Sequence, residues 1–170
     1  MKYITQRPSG ALVISLLAVV LASAGGAFAA SSPPPTTGVP SRAYEVFRNS
    51  GPSNIPSTPT RVATLSGLAA GPYVITAKAY LDISSTHGNP RVLCQVNAAG
   101  DTDVAVAQGE QVSGAAMTVP MQVEVTHTFT STGTVTLSCN KNGTSDQVNV
   151  NWAKIIATSV ASETHRAVTG

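Results

Sequence analysis

Charged and aromatic side chains are scarce in this 170-residue chain, at 11% and 5% of its residues. Two of the ten Lys and Arg residues, Lys2 and Arg7, lie in the first ten positions, so the other eight balance the eight Asp and Glu residues. A nucleic-acid-binding surface needs clustered cations, and an acidic disordered tail needs a run of carboxylates. The composition therefore argues against both kinds of protein and predicts no nucleic-acid partner.

Motifs of catalysis and cofactor binding are also missing. The sequence has no Gly-x-Ser-x-Gly of a hydrolase nucleophile, no Gly-x-Gly-x-x-Gly and no phosphate-binding loop. It has no Cys-x-x-Cys or His-x-x-x-His, so the ligand spacing of a zinc site is absent as well. We therefore predict no catalytic, cofactor-binding or metal-binding residue, no cofactor and no enzymatic activity.

The histidines have ordinary structural interpretations. His127 alternates with Val123, Val125 and Phe129 along one predicted strand, which indicates a partly buried, hydrogen-bonded residue of a sheet rather than a catalyst. His87 lies in a polar turn sequence and His165 near the end of the chain.

Two further features have a functional and a structural interpretation. Asp101 and Asp103 lie at a predicted hairpin and could hold calcium together with Asn97 or backbone carbonyls, although a polar turn is the more common role. Trp152, the single tryptophan, is expected in the core or at the rim of a sheet rather than on a ligand platform.

The first 29 residues have the three-part order of a secretory signal peptide. A charged start is followed by an apolar run of 11 residues, 11–21, and then by small residues. Ala27 and Ala29 fit the small-x-small rule, which places cleavage between Ala29 and Ala30. A membrane-spanning helix needs about 20 apolar residues, so an uncleaved anchor is disfavoured and no later segment is long enough. We expect a protein that is secreted, either free or associated with the cell wall.

The rest of the chain divides into three parts. Residues 30–43 are rich in proline and are expected to form an extended linker. Residues 44–160 form the predicted domain, which a second proline-rich stretch at 50–60 interrupts with a loop. Residues 161–170 are polar and lack periodicity, which predicts a flexible tail.

The predicted domain is all-β. After residue 29 the chain has 17 Val, 19 Thr and 5 Ile, against only 14 residues of Leu, Glu, Lys and Met together. β-Branched side chains fit a pleated sheet and lose freedom in a helix. Alternation and turn signals place about eight strands, the sixth broken near Pro120 and the last with a possible bend. These strands are 44–48, 60–66, 73–83, 91–98, 102–107, 115–130, 133–140 and 147–160.

Eight short antiparallel strands predict a two-sheet β-sandwich, most simply a jelly roll. The strand at 73–83 shows the alternation best, because Lys78 and Asp82 on one face belong in water. Gly100-Asp101 predicts a hairpin turn between two of the strands. The expected core face of the strand at 73–83 consists of Tyr73, Ile75, Ala77, Ala79, Leu81 and Ile83.

The two cysteines, Cys94 and Cys139, are predicted to form a disulfide. Each alternates with apolar residues of its strand, Cys94 with Val92 and Val96, and Cys139 with Leu137, so both point to the core side. An even number of cysteines in an exported chain favours a bond over two free thiols.

The run Leu65–Tyr80, Leu-Ser-Gly-Leu-Ala-Ala-Gly-Pro-Tyr-Val-Ile-Thr-Ala-Lys-Ala-Tyr, resembles a segment of small secreted bacterial proteins of uncharacterised function, especially from actinobacteria. Residues 92–96 and 135–139 are similar to the two cysteine strands of that group, and the resemblance covers about residues 60–160. The group looks like the jelly-roll sandwiches of the complement and tumour-necrosis-factor type, many of which are trimers. The resemblance implies this fold and makes a homotrimer conceivable, but it supplies no catalytic residue.

These observations favour a secreted or cell-surface protein that is not an enzyme and binds or assembles with an unknown protein or glycan. Two alternatives remain: an extracellular hydrolase that uses a pair of carboxylates, and a carbohydrate-binding module. The surface discriminates among them. A cleft with two carboxylates favours the hydrolase, an exposed face with Trp152 and a tyrosine favours glycan binding, and a broad apolar patch favours a protein partner.

Overall fold

The computed structural model describes residues 41–84, 90–109, 116–142 and 147–164, which form eight β-strands. The strands are β1 (Ala43–Ser50), β2 (Thr60–Leu68), β3 (Gly71–Ser84), β4 (Arg91–Ala98), β5 (Asp101–Gln108), β6 (Met117–Phe129), β7 (Gly133–Asn142) and β8 (Gln147–Ser159). Within these described ranges no helix is long and apolar enough to cross a membrane.

The strands form two antiparallel sheets of four strands each. Sheet A has the order β1-β8-β3-β6, and sheet B has the order β2-β7-β4-β5. Most neighbours in the two sheets are far apart in sequence, because the chain passes repeatedly from one sheet to the other; of the described strands, β4 and β5 alone are consecutive neighbours and form a hairpin. This strand order is that of a jelly roll, so the predicted all-β, two-sheet antiparallel sandwich of about eight strands is confirmed.

The predicted break near Pro120 is wrong. Strand β6 continues through Pro120, which pairs in register with Tyr80 of β3. Proline lacks a backbone N–H, but β6 is an edge strand of sheet A and has a neighbour on one side only. A proline is tolerated in such a strand where its nitrogen faces away from that neighbour.

The predicted turn at Gly100-Asp101 is displaced by one residue. Ala98 of β4 pairs directly with Asp101 of β5, so the two turn residues are Ala99 and Gly100. Both have positive φ, 52° and 110°, as a two-residue turn of type I′ requires. Asp101 is therefore the first residue of β5.

The second proline-rich stretch is a loop from residue 51 to residue 59, as predicted, but it packs closely against the sandwich. The backbone N–H of Ile55 donates to the Val148 carbonyl at 2.9 Å, and that of Gly51 donates to the Val150 carbonyl at 2.8 Å. The Ile55 side chain is fully buried in the core. The loop therefore contributes both backbone pairing along β8 and apolar packing.

The core lies between the two sheets. Every residue of the predicted core face of β3 is buried, whereas Lys78 and Tyr80 on its other face are exposed. Further buried residues come from β4, β7 and β8, where Val, Leu, Ile and Ala alternate with outward-facing residues. The period of two that the sequence shows is thus the pattern that fills the interior.

The predicted disulfide is present. Cys94 on β4 and Cys139 on β7 are directly opposite each other, with Cα atoms 4.1 Å apart, and both are fully buried. The bond therefore joins two neighbouring strands on the inner face of sheet B. It closes a loop between residues 45 positions apart.

Several predictions fall on residues outside the described ranges. They are the signal peptide with its cleavage between Ala29 and Ala30, the linker up to residue 40, the tail from residue 165, and the side chains of His87 and His165.

Replacing Ile75 by Ala should lower the free energy of unfolding by about 2–5 kcal/mol, because the shorter side chain leaves a cavity in the core. The control, Lys78→Ala on the solvent face of β3, should change it by less than about 0.5 kcal/mol. Urea unfolding followed by circular dichroism measures both. Equal effects of the two substitutions would contradict the assignment of the faces.

Replacing Cys94 and Cys139 together by Ala should lower the free energy of unfolding by about 3–4 kcal/mol, because the open chain regains loop entropy when it unfolds. The double variant should still fold, since the apolar residues of both sheets remain. Mass spectrometry after alkylation of the unfolded, unreduced wild-type protein provides the control. Two alkylated cysteines would show that the bond is absent.

Candidate functional site

Three large aromatic side chains are exposed on the outer face of sheet A. Phe47 of β1 is 48% exposed, Trp152 of β8 is 56% exposed and Tyr80 of β3 is 44% exposed. The strands β1, β8 and β3 are consecutive in the sheet. The three residues therefore form a series across neighbouring strands, which we call the aromatic row.

A β-bulge in β8 brings Trp152 to this face. Lys154 pairs with Lys78 of β3, but the next pair in register is Asn151 with Tyr80, so Trp152 and Ala153 together oppose one residue of β3. This is the two-against-one geometry of a bulge. As a result Asn151 and Trp152 both lie on the outer side, while Ala153 is fully buried.

The backbone of Trp152 is strained. Its φ of 52° is in the left-handed region, which is unfavourable for a bulky side chain by about 1–2 kcal/mol. More than half of the side chain is in solvent, so burial in the core does not compensate this cost. Strained residues of this kind concentrate at functional sites, and Trp152 is therefore the centre of the candidate site.

One end of the aromatic row is formed by Phe47 and a charged pair. The ring centroids of Phe47 and Trp152 are 6.3 Å apart with an interplanar angle of 40°. The Nζ atom of Lys154 lies 6.0 Å from the Phe47 centroid and 2.8 Å from Oε2 of Glu45. The ammonium group thus contacts both the aromatic face and a carboxylate.

The other end is polar. Oδ1 of Asp82 accepts a hydrogen bond from the Thr118 hydroxyl at 2.7 Å, and Oδ2 accepts one from Nδ2 of Asn151 at 2.5 Å. These three residues, with Tyr80 and Trp152, line a shallow depression of about 440 Å³. The depression therefore combines two aromatic surfaces with a carboxylate, an amide and a hydroxyl group.

His127 occupies the partly buried position that its alternation predicts. Its side chain is 16% exposed, and its Nδ1 atom lies 2.7 Å from Oδ2 of Asp101. Its ring packs edge-on against Phe129, which packs against Tyr73. Burial raises the pKa of the Tyr73 hydroxyl above its ordinary value of 10.0, and the neighbouring Tyr44 adds to the increase. This group of rings stabilises the interior.

The two aspartates considered for calcium contact strand β6. Asp101 pairs with His127, and Oδ2 of Asp103 accepts a hydrogen bond from the backbone N–H of Glu124 at 2.8 Å. Oδ1 of Asp103 accepts another from the N–H of Val104. Among the residues that the structure describes, no group of three or more His, Cys, Asp or Glu side chains could hold a metal ion. The two carboxylates link the edge of sheet B to the edge of sheet A.

The remaining described carboxylates are separate from one another. Glu45 pairs with Lys154, Glu124 accepts a hydrogen bond from Thr76, and Glu163 accepts one from Thr128. Asp82 is the single carboxylate among the residues that line the depression beside Trp152.

Sheet B has a small apolar patch on its outer face. Leu93 of β4 and Val106 of β5 are directly opposite each other and are 37% and 48% exposed, and Val104 is 45% exposed. These three side chains are the larger apolar groups exposed on this face within the described ranges.

The expectation that Trp152 lies in the core or at a sheet rim is wrong, because the bulge places it on the outer face. A signal for this is present in the sequence. Val148 and Val150 alternate in one phase, whereas Ala153, Ile155 and Ala157 alternate in the other. A change of phase within one strand marks an extra residue between Val150 and Ala153.

Comparisons with known proteins concern the fold. No family model matches the chain, and no curated protein matches it in sequence. The structure of infectious bursal disease virus Gx strain is similar with a TM-score of 0.56 and 9% identity, over 78% of this chain and 37% of the viral chain. Dimeric latent PorU from Porphyromonas gingivalis is similar with a TM-score of 0.53 and 12% identity, over 74% of this chain and 14% of PorU.

A third solved structure, Eiger TNF from S. frugiperda, has a TM-score of 0.40 and 12% identity and covers 76% of this chain and 99% of that chain. The first two likenesses establish a shared fold. The chain spans about a third of the viral chain and a seventh of PorU.

The strain at Trp152 leads to an unusual order of stability. Trp152→Gly should be more stable than Trp152→Ala by about 1 kcal/mol, because glycine adopts positive φ without steric cost. At an ordinary strand position the order is reversed, with glycine about 0.5–1 kcal/mol less stable than alanine. Urea unfolding of the two variants measures the difference. A more stable alanine variant would contradict the bulge geometry.

Proposed function

We propose that the protein is a secreted or cell-surface binding protein without enzymatic activity, and that its ligand is a carbohydrate bound on the aromatic row of sheet A. The observation that carries the proposal is the exposure of Trp152 beside Tyr80 and Phe47. Aromatic rings exposed on one face stack against the C–H faces of pyranose sugars, and sugar rings supply hydroxyl groups for neighbouring polar side chains.

The polar end of the row supports this ligand class. Each oxygen of Asp82 accepts one hydrogen bond within the protein, and a carboxylate has further lone pairs available. Thr118 and Asn151 hold the Asp82 carboxylate in position, so it can accept hydrogen bonds from sugar hydroxyl groups without much loss of side-chain entropy. An aromatic surface beside a few fixed polar groups is the usual composition of a small-molecule site.

The arrangement of carboxylates favours binding over hydrolysis. Glycosidases use two carboxyl groups, about 5–10 Å apart, on either side of the scissile bond. The depression beside Trp152 has Asp82 alone, with both oxygens hydrogen-bonded. A binding function requires no second carboxylate, and the aromatic row is sufficient for it.

Export is part of the proposal. The signal peptide predicted for residues 1–29 and the Cys94–Cys139 disulfide both favour a compartment outside the cytoplasm, where such bonds persist. A protein partner and a homotrimer stay predictions from the sequence. The apolar patch of Leu93, Val104 and Val106 is the described surface best suited to a protein partner, and it lies on the other sheet.

The test is retention of the protein on cellulose, chitin and xylan. We expect the wild-type protein to bind at least one of them, and Trp152→Ala to bind it about tenfold less tightly, because one stacking ring is lost. Trp152→Gly should lose binding to the same extent, although glycine retains the bulge conformation without strain. This variant shows whether binding is lost because the ring is missing or because the backbone of the bulge has changed.

The control is Leu93→Ala, which removes an exposed apolar side chain from the outer face of sheet B and should leave binding unchanged. Failure of the wild-type protein to bind any of the three polysaccharides, or full binding by Trp152→Ala, would contradict the proposal.

A further inference from the structure

We infer that the aromatic row binds an internal stretch of about three units of a straight, uncharged, β-linked polysaccharide, which lies diagonally across β1, β8 and β3. This inference rests on the proposed function and specifies the ligand of the same site.

The spacing of the rings suits an extended sugar chain. Phe47, Trp152 and Tyr80 belong to three consecutive strands, and neighbouring strands are about 5 Å apart. This spacing is close to the length of one pyranose unit in an extended chain. Because the row runs diagonally, its rings are somewhat farther apart than the strands, and the 6.3 Å between the Phe47 and Trp152 centroids leaves room for one sugar unit at each ring. The row therefore matches consecutive sugars of an extended chain.

The row runs diagonally across the three strands. Phe47 is paired in register with Lys154 of β8, and Tyr80 with Asn151, so the row advances along β8 as it crosses the sheet. Trp152 lies between these two positions. The bulge therefore places the middle ring of the diagonal row on the outer face, where an unbroken strand would have no aromatic ring.

The row is open at its two outer rings. Phe47 and Tyr80 are both close to half exposed, and they lie on the surface of a sheet rather than in an enclosed cavity. A site for a terminal sugar surrounds the end of the chain with side chains on several sides. An open row can instead be crossed by a chain that continues beyond it.

The chemistry of the row indicates the type of chain. A β-1,4-linked chain is a flat ribbon with C–H groups on both faces, so each successive unit can present an apolar face to the rings. An α-1,4-linked chain coils and can meet a straight row of rings with one or two units only. The Asp82 carboxylate at one end disfavours anionic sugars. The Lys154 ammonium at the other end is already paired with Glu45, so it does not favour an anionic sugar either.

The experiment is isothermal titration calorimetry of the full exported protein with oligosaccharides of one to six units. The probes are β-1,4-linked oligomers of glucose, of N-acetylglucosamine and of xylose, with α-1,4-linked glucose oligomers of the same lengths for comparison. For one of the β-linked series, affinity should rise with each added unit up to about three and then level off. The α-linked oligomer of three units should bind at least roughly tenfold more weakly than the β-linked one.

Phe47→Ala should abolish the gain from the third unit and leave the affinity for the dimer within about twofold, because it removes one outer ring. The fold should be preserved, since Phe47 is half exposed. Thr134→Ala, an exposed change on sheet B, is the matched control and should leave the whole series unchanged.

Three results would overturn the inference: a monomer that binds as tightly as the trimer, equal affinity for α- and β-linked chains, or no binding to any of the three β-linked series. If the protein still binds an insoluble polysaccharide through Trp152 in any of these cases, the carbohydrate-binding function remains and the specificity inferred here fails. If it binds no polysaccharide at all, both fail.

Discussion

Strand β8 has to satisfy two requirements that an unbroken strand cannot meet together. Val148 and Val150 at one end and Ala153 and Ile155 at the other must all be buried in the core, although the two sets are out of phase. The bulge provides the extra residue, and that residue is Trp152. The parts of β8 before and after the bulge must both be buried, and this requirement forces a strained aromatic residue outward. The candidate site depends on this constraint.

The rest of the sandwich gives the site a rigid base. Asp101 and Asp103 connect β5 to β6 along one side, and an Arg48 guanidinium N–H of β1 donates to the Val62 carbonyl of β2 at 3.2 Å along the other. An inward charge such as Asp103 on an edge strand also discourages pairing with other chains. These links join the two sheets, and the disulfide joins two neighbouring strands within sheet B.

The sequence was sufficient for features that depend on period-two alternation, such as the core face of β3 and the inward orientation of Cys94 and Cys139. It was insufficient where the outcome depends on how the strands are arranged in the tertiary structure. Pro120 is compatible with a strand only because β6 is an edge, and the contact between Asp101 and His127 joins strands of different sheets. The expectation for Trp152 rested on the usual place of a lone tryptophan, and it failed because one inserted residue in β8 puts the side chain on the outer face.

The most direct measurement uses the fact that Trp152 is the single tryptophan of the chain, so that its fluorescence reports on the centre of the site alone. Without ligand, its emission should be that of a solvent-exposed indole and should be strongly quenched by acrylamide. Saturation with the polysaccharide that the protein binds most tightly should shift the emission to shorter wavelength and protect it from quenching. A buried, poorly quenched tryptophan in the free protein, or quenching that the bound polysaccharide leaves unchanged, would contradict a binding site built around Trp152.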